Sequence, residues 1–160
     1  MWIDFDELSF DSKVWVFQAD RPFSSDEEAQ MNLQLDVFIK EWATHGVQMR
    51  ASYTFLHQCF VIVAADESFQ TASGCSLGAL TTLFEKLGQV FSLNFLDRFA
   101  MAYKYNGKVD VVSLVEFKKL ISETVISENT IVFNNLIATK NDLLNKWELP
   151  LKESWQKRYL

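Results

Sequence analysis

The sequence predicts an α+β fold: a ferredoxin-like βαββαβ core with an extra hairpin strand and a helical C-terminal extension, all within one domain over residues 1–160. Three observations carry that expectation. Runs of β-formers alternate with stretches of helical period in the order strand, helix, strand, strand, helix, strand. The helical stretches open on capping signatures. An Asn-Gly dipeptide separates two short β-like runs near the middle of the chain.

The first strand is expected at Lys13–Gln18, where Lys-Val-Trp-Val-Phe-Gln is followed by the turn-like Asp20-Arg21-Pro22. After Pro22 the period changes. Ser25 with Glu28 three residues on has the capping-box pattern, and Met31, Leu35, Phe38 and Trp42 recur at helical spacing up to Gly46. His45 is then expected to complement the dipole at that helix's C-terminus. Residues 49–56 and 59–65 are two further β-like stretches, joined at His57-Gln58 by a turn that no Gly or Asn announces.

A polar segment, 66–76, leads into a second helix with a clear apolar stripe: Leu77, Leu80, Leu83, Phe84, Leu87, Val90 and Phe91. Residues 99–105 and 108–112 flank Asn106-Gly107, the preferred type I′ pair, and predict a hairpin. Ser113 and Glu116 cap a short helix carrying Phe117, Leu120 and Ile121. A short strand is expected at 130–133 and a helical turn or two at 142–147, stopped by Pro150, before an aromatic tail, 155–160, that packs on the domain.

Composition excludes several function classes. Hydrophobic residues make up 49% of the chain, with 14 Phe and 5 Trp, ample to bury a core. The net charge of -6 disfavours nucleic acid and anionic lipid, and no basic run exceeds the pairs Lys118-Lys119 and Lys157-Arg158. Two cysteines, Cys59 and Cys75, are too few for a disulfide scaffold, and neither a secretory start nor an apolar run of membrane-spanning length is present. A cytoplasmic location is expected.

Ala72-Ser73-Gly74-Cys75-Ser76 runs straight into the second helix, and so gathers a thiol and two hydroxyls at a helix N-terminus. Free N–H groups and the helix dipole there stabilise a thiolate or hold a phosphate or carboxylate. The structural alternative is that Ser73 or Ser76 caps the helix while Gly74 makes the turn. A nucleophilic cysteine needs a base, and strand geometry places His57 at the opposite end from Cys75. Asp66 and Glu67 sit nearby in sequence, but adjacent strand residues point to opposite faces and lack the His or Cys partners of a metal site. No cofactor motif occurs: the only Gly-Lys, Gly107-Lys108, precedes Val109 within the hairpin and cannot be a P-loop, and no G-x-G-x-x-G, H-E-x-x-H or C-x-x-C is present.

Asp66-Glu67-Ser68, Ser73-Gly74-Cys75-Ser76, the run Thr130-Ile131-Val132-Phe133-Asn134-Asn135-Leu136, and Trp147-Glu148-Leu149-Pro150 with Ser154-Trp155 resemble a family of short bacterial proteins. That family is commonly labelled "ABC transporter ATPase", although its members lack ATPase motifs. Trp42-Ala43-Thr44-His45-Gly46 echoes a further segment of it, and the resemblance spans nearly the whole chain. The family continues Ser-Gly-Cys-Ser with Ile-Asp where this chain has Leu77-Gly78, so any role of that aspartate is lost here. The resemblance implies family identity and no mechanism.

Two readings of function follow. The first is a non-enzymatic cytoplasmic domain that binds a partner protein or small ligand, with homodimerisation open through an exposed sheet face or edge. The second is an anion-binding protein or thiol-dependent enzyme built on Ser73, Gly74, Cys75 and Ser76, with Asp66 and Glu67 nearby and Cys75 as the candidate catalytic residue.

Overall fold

A computed structural model describes residues 1–160. It confirms an α+β fold and distributes the strands over two main sheets and a small hairpin. The first sheet joins β1 (Lys13–Gln18), β4 (Arg50–Leu56) and β5 (Phe60–Asp66) in the antiparallel order β1-β5-β4. The Phe-Val-Ile-Val-Ala-Ala run of β5 is buried along its length because the strand is central and covered on both faces. Val61, Val63 and Ala65 pack with Met31, Leu35 and Ile39 of α1 (Ser25–Glu41) and Leu80, Phe84 and Leu87 of α2 (Gly74–Phe91). Phe60, Ile62 and Ala64 face the other way, into a second core with Ala102, Val111, Phe133 and Trp147.

Ala102, Val111 and Phe133 belong to the second sheet, and Trp147 directly precedes its last strand: β6 (Ala100–Tyr105), β7 (Lys108–Ser113), β8 (Ile131–Phe133) and β9 (Glu148–Pro150) run in the order β7-β6-β8-β9. Its far face, Met101, Tyr103 and Val132, is covered by Phe117 of α3 (Leu114–Ser122) and by Leu151. The chain is therefore layered helix, sheet, sheet, helix. The first three strands keep the order expected of a ferredoxin-like core, but the fourth, β6, does not pair with β1. Its two edges are taken by β7, through the local Asn106-Gly107 turn, and by β8, which leaves none for β1. The edges of the first sheet are covered elsewhere: Met1 and Ile3 bond Ala51 at 3.0 Å each, and Val14 N–H donates to Ala138 O at 3.0 Å.

Local chemistry corrects several boundaries. The N-cap of α1 is Ser24, not Ser25: Glu27 N–H donates to Ser24 Oγ at 3.1 Å and Ser24 N–H to Glu27 Oε1 at 2.9 Å. Both Ser-x-x-Glu frames exist in the sequence, and Arg21 selects between them by a bidentate bond to Glu27 at 3.1 and 2.9 Å. The helix ends at Glu41, and His45 lies not at its C-terminus but in the turn of a short hairpin, β2 (Ala43–Thr44) and β3 (Val47–Gln48), at φ 51. Pro150 does not stop a helix either. α4 (Lys140–Asn145) ends before it, and Pro150 lies in β9 opposite Ile131.

The β4–β5 turn is of the same positive-φ class as Asn106-Gly107, yet it is built from His57 and Gln58, each at φ 55. Such a conformation costs roughly 1–2 kcal/mol per non-Gly residue. Tertiary contacts offset it: the Gln58 and Cys59 carbonyls accept from Phe23 and Ala19 N–H at 2.7 and 2.8 Å, and the His57 ring packs on Phe133 and Trp147. Lys140, at 5% exposure, pins the N-terminal segment by donating from Nζ to the carbonyls of Phe5, Asp6 and Leu8 at 2.8, 3.1 and 2.8 Å.

Candidate ligand-binding site

The α2 N-terminus forms as the sequence suggests. Ser73 is the N-cap, with Ser76 N–H donating to its Oγ at 3.1 Å and Ser73 N–H donating to Ser76 Oγ at 2.8 Å. Ser76 is buried, its hydroxyl also donates to Ser73 O at 2.9 Å, and its carbonyl accepts from Trp42 Nε1 at 2.9 Å. Both hydroxyls therefore serve the helix. Gly74 has open space where a Cβ would stand, so no close approach demands glycine there. Cys75 is exposed.

Asp66 and Glu67 organise the loop before α2. Asp66 accepts from Ser68 N–H at 3.0 Å, and hydrogen bonding to the Ser68 side chain, then this N–H, and last the Arg50 guanidinium at 3.9 Å hold its carboxyl below the usual range. Glu67 accepts from Ala72 N–H at 2.6 Å. His57 sits beside Glu148, 3.5 Å away, against Phe133 and Trp147 of the second core, and forms no pair with Cys75. The structure thus assembles a capped helix start and a braced loop around the expected residues, without a base at the thiol.

A different site opens where the two sheets diverge. The end of β1 (Val16, Phe17, Gln18), the start of β6 and the loop after α2 enclose a cleft of about 570 Å³, closed on its remaining side by Phe133, Asn135 and the tail residues Trp155 and Gln156. Ten of its fifteen lining residues are hydrophobic, and the volume lies within the range of small-molecule sites. The path of the loop depends on the end of α2. Ser92 adopts the left-handed C-cap conformation at φ 54, and Gly88 carries no side chain where the Leu93 carbonyl crosses the helix.

The polar side chains in the cleft form a chain across the seam. Trp147 Nε1 donates to Asn135 Oδ1 at 3.0 Å, Asn135 Nδ2 to Gln18 Oε1 at 2.8 Å, and Gln18 Nε2 to Ala100 O at 2.9 Å. These bonds tie β1 to β6 although no ladder joins them. Gln156 donates from Nε2 to Phe133 O at 2.8 Å, while its Oε1 is enclosed and has no partner. Asp97 Oδ1 accepts from Phe99 N–H at 2.9 Å, and Arg98 is exposed at the mouth.

No family model, curated protein or solved structure matches the chain. The cleft is accordingly read from its own chemistry. Its rim is unusually apolar for surface: Leu136 is 77% exposed, Leu96 45% and Trp155 40%. Its lining holds no His, Cys or Lys. That set is suited to burying an apolar body.

Sequence reasoning did not single out Gln18 or Gln156 and quoted Asn135 only within a resemblance. The available signals were weak: a glutamine ending an apolar strand, an Asn-Asn pair after another, and a tail with Trp and Gln adjacent.

Proposed function

We propose that the chain is a non-enzymatic binding domain whose small-molecule ligand occupies the cleft between the two sheets. The observation that carries this reading is the cleft itself: about 570 Å³, mostly apolar, rimmed by exposed Leu96, Leu136 and Trp155, and fixed by the Trp147-Asn135-Gln18 chain. A preformed apolar pocket with a few placed polar groups is the usual form of a small-molecule site. The two free cysteines support a cytoplasmic setting, and no helix is long and apolar enough to cross a membrane. Membership of the short bacterial family remains part of this proposal and supplies no activity.

The competing reading at Ser73–Ser76, an anion site or a thiol enzyme, is supported by the exposure of Cys75 alone. Titration with the neutral fluorophore N-phenyl-1-naphthylamine separates the two. The cleft reading expects saturable binding to the wild-type chain that is lost in Ala100→Phe, which fills the cleft from a half-buried position, and retained in Cys75→Ser. Binding that survives Ala100→Phe in a folded protein sinks the reading.

A further inference from the structure

The free edge of β1 brings main-chain groups to the cleft. Ala19 N–H donates to Cys59 O at 2.8 Å, so the ladder with β5 runs through the odd-numbered residues Lys13, Trp15 and Phe17. The even-numbered residues therefore turn their N–H and C=O away from β5. The chain itself pairs with part of that edge: Val14 N–H donates to Ala138 O at 3.0 Å and Lys140 N–H to Ser12 O at 2.9 Å, around an antiparallel bridge between Lys13 and Thr139. The cover ends there. Asn135 and Leu136, just before that segment, stand in the cleft wall instead. Val16, half-buried in the same wall, keeps an N–H and a C=O that no other group of the chain bonds.

The side-chain amides of the cleft are already engaged. Gln18 and Asn135 each use both oxygen and nitrogen within the seam, and Gln156 Oε1 is enclosed by the protein. The donor and acceptor of Val16 lie side by side on a strand edge, and their complement is an extended peptide residue, which in an antiparallel pair exchanges both bonds with the residue it faces. The only ionisable groups in the lining are Asp97 and Arg98, of opposite sign and adjacent in the chain, so neither charge is favoured. Resting on the cleft reading above, we infer that the small molecule is a short, uncharged peptide in extended conformation, held as an added strand on β1 at Val16. Residues 138–140 pair with this same edge, and the peptide continues the sheet where they leave it. Its alternate side chains meet Phe17 and Phe95 on one side of the sheet and Ala102 and Phe133 on the other.

The test loads the full chain with N-phenyl-1-naphthylamine and displaces it with acetyl-Thr-Leu-Thr-amide or with the depsipeptide of the same shape, in which ester oxygens replace the main-chain N–H groups. The peptide is expected to displace the fluorophore and to bind about fivefold more tightly than the ester or better, the worth of one net hydrogen bond. Val16→Pro removes an N–H that the β5 ladder does not use, and is expected to weaken the peptide by a similar factor while the fluorophore still binds. Equal affinity for peptide and ester overturns the strand inference while the cleft reading stands. So does a peptide that fails to displace a fluorophore excluded by Ala100→Phe, or one that binds a folded Val16→Pro as tightly as the wild type. A fluorophore that does not bind, or binds regardless of Ala100→Phe, defeats the cleft reading itself. Should Val16→Pro fail to fold or to hold the fluorophore, the wild-type comparison of peptide and ester still decides.

Discussion

Asn135 Nδ2 donates to Gln18 Oε1 at 2.8 Å across the seam between the two sheets, joining residues 117 positions apart in the chain. The bond lies in the middle of a relay from Trp147 to the Ala100 carbonyl, so each amide is held in one orientation by its neighbours. Asn135→Ala leaves the Gln18 oxygen and the Trp147 N–H without partners. The expected loss of stability is about 1–3 kcal/mol, read from urea unfolding midpoints. Asn135→Asp retains an acceptor for Trp147 but presents an oxygen to Gln18 Oε1, and is expected to be no better.

Lys140 makes a second long-range tie. Its ammonium is the shared donor for three carbonyls of the segment from Phe5 to Leu8, and its charge lies over the Phe5 and Phe10 rings at 5.4 and 5.5 Å. Lys140→Met keeps the apolar stem and removes every bond. A destabilisation of about 2–4 kcal/mol is expected, with amide exchange accelerated first in residues 1–12, whose remaining anchors are few.

Arg21 couples the two long helices. It bonds Glu27 in the first turn of α1 and donates to the Phe91 carbonyl at the end of α2 at 2.7 Å. The Glu27 carboxyl is held down at about 2, chiefly by the Arg21 hydrogen bonds and then by the Ser24 N–H, against an ordinary value of 4.5. A depressed carboxyl value means stability that is fully present above about 4.5 and lost as the pH falls through about 2. Since Arg21 is partly exposed, Glu27→Gln is expected to cost only about 1 kcal/mol at pH 7. The gap between variant and wild type should close by pH 2 in paired denaturation curves.

The two thiols are expected to behave oppositely. Burial, with Asp110 nearby, pushes the Cys59 thiol up to about 12, whereas Cys75 stands exposed at the start of α2. Alkylation of the native chain at pH 8 should modify Cys75 and spare Cys59 until the protein unfolds. Cys75→Ser is expected to change stability by less than about 0.5 kcal/mol. Native alkylation of Cys75 much faster than in the denatured chain would instead argue for an activated thiolate and the thiol-enzyme reading.

What the sequence made legible is what short-range chemistry decides. The β6–β7 hairpin follows from Asn106-Gly107, and the α2 start from Ser73 and Ser76, because turn and cap preferences act within four residues. The frame of α1 was ambiguous between Ser24 and Ser25 until Arg21 was placed beside Glu27. The His57-Gln58 turn carries no local signal, since tertiary bonds to Ala19 and Phe23 impose its positive φ. Sheet membership was equally hidden. Met101 and Tyr103 alternate with Ala100 and Ala102, which shows that both faces of β6 are buried but not which layers bury them. The candidate cleft lies beyond local reading altogether, for Gln18, Asn135 and Gln156 meet only after both sheets have formed.

The most direct measurement is the amide chemical-shift map of the ¹⁵N-labelled chain titrated with N-phenyl-1-naphthylamine. The account predicts saturable shifts concentrated at residues 16–18, 95–102, 133–136 and 155–156, including the Gln156 side-chain amide. Shifts confined to residues 72–76 at the α2 N-terminus, or none that saturate in the cleft, would contradict it.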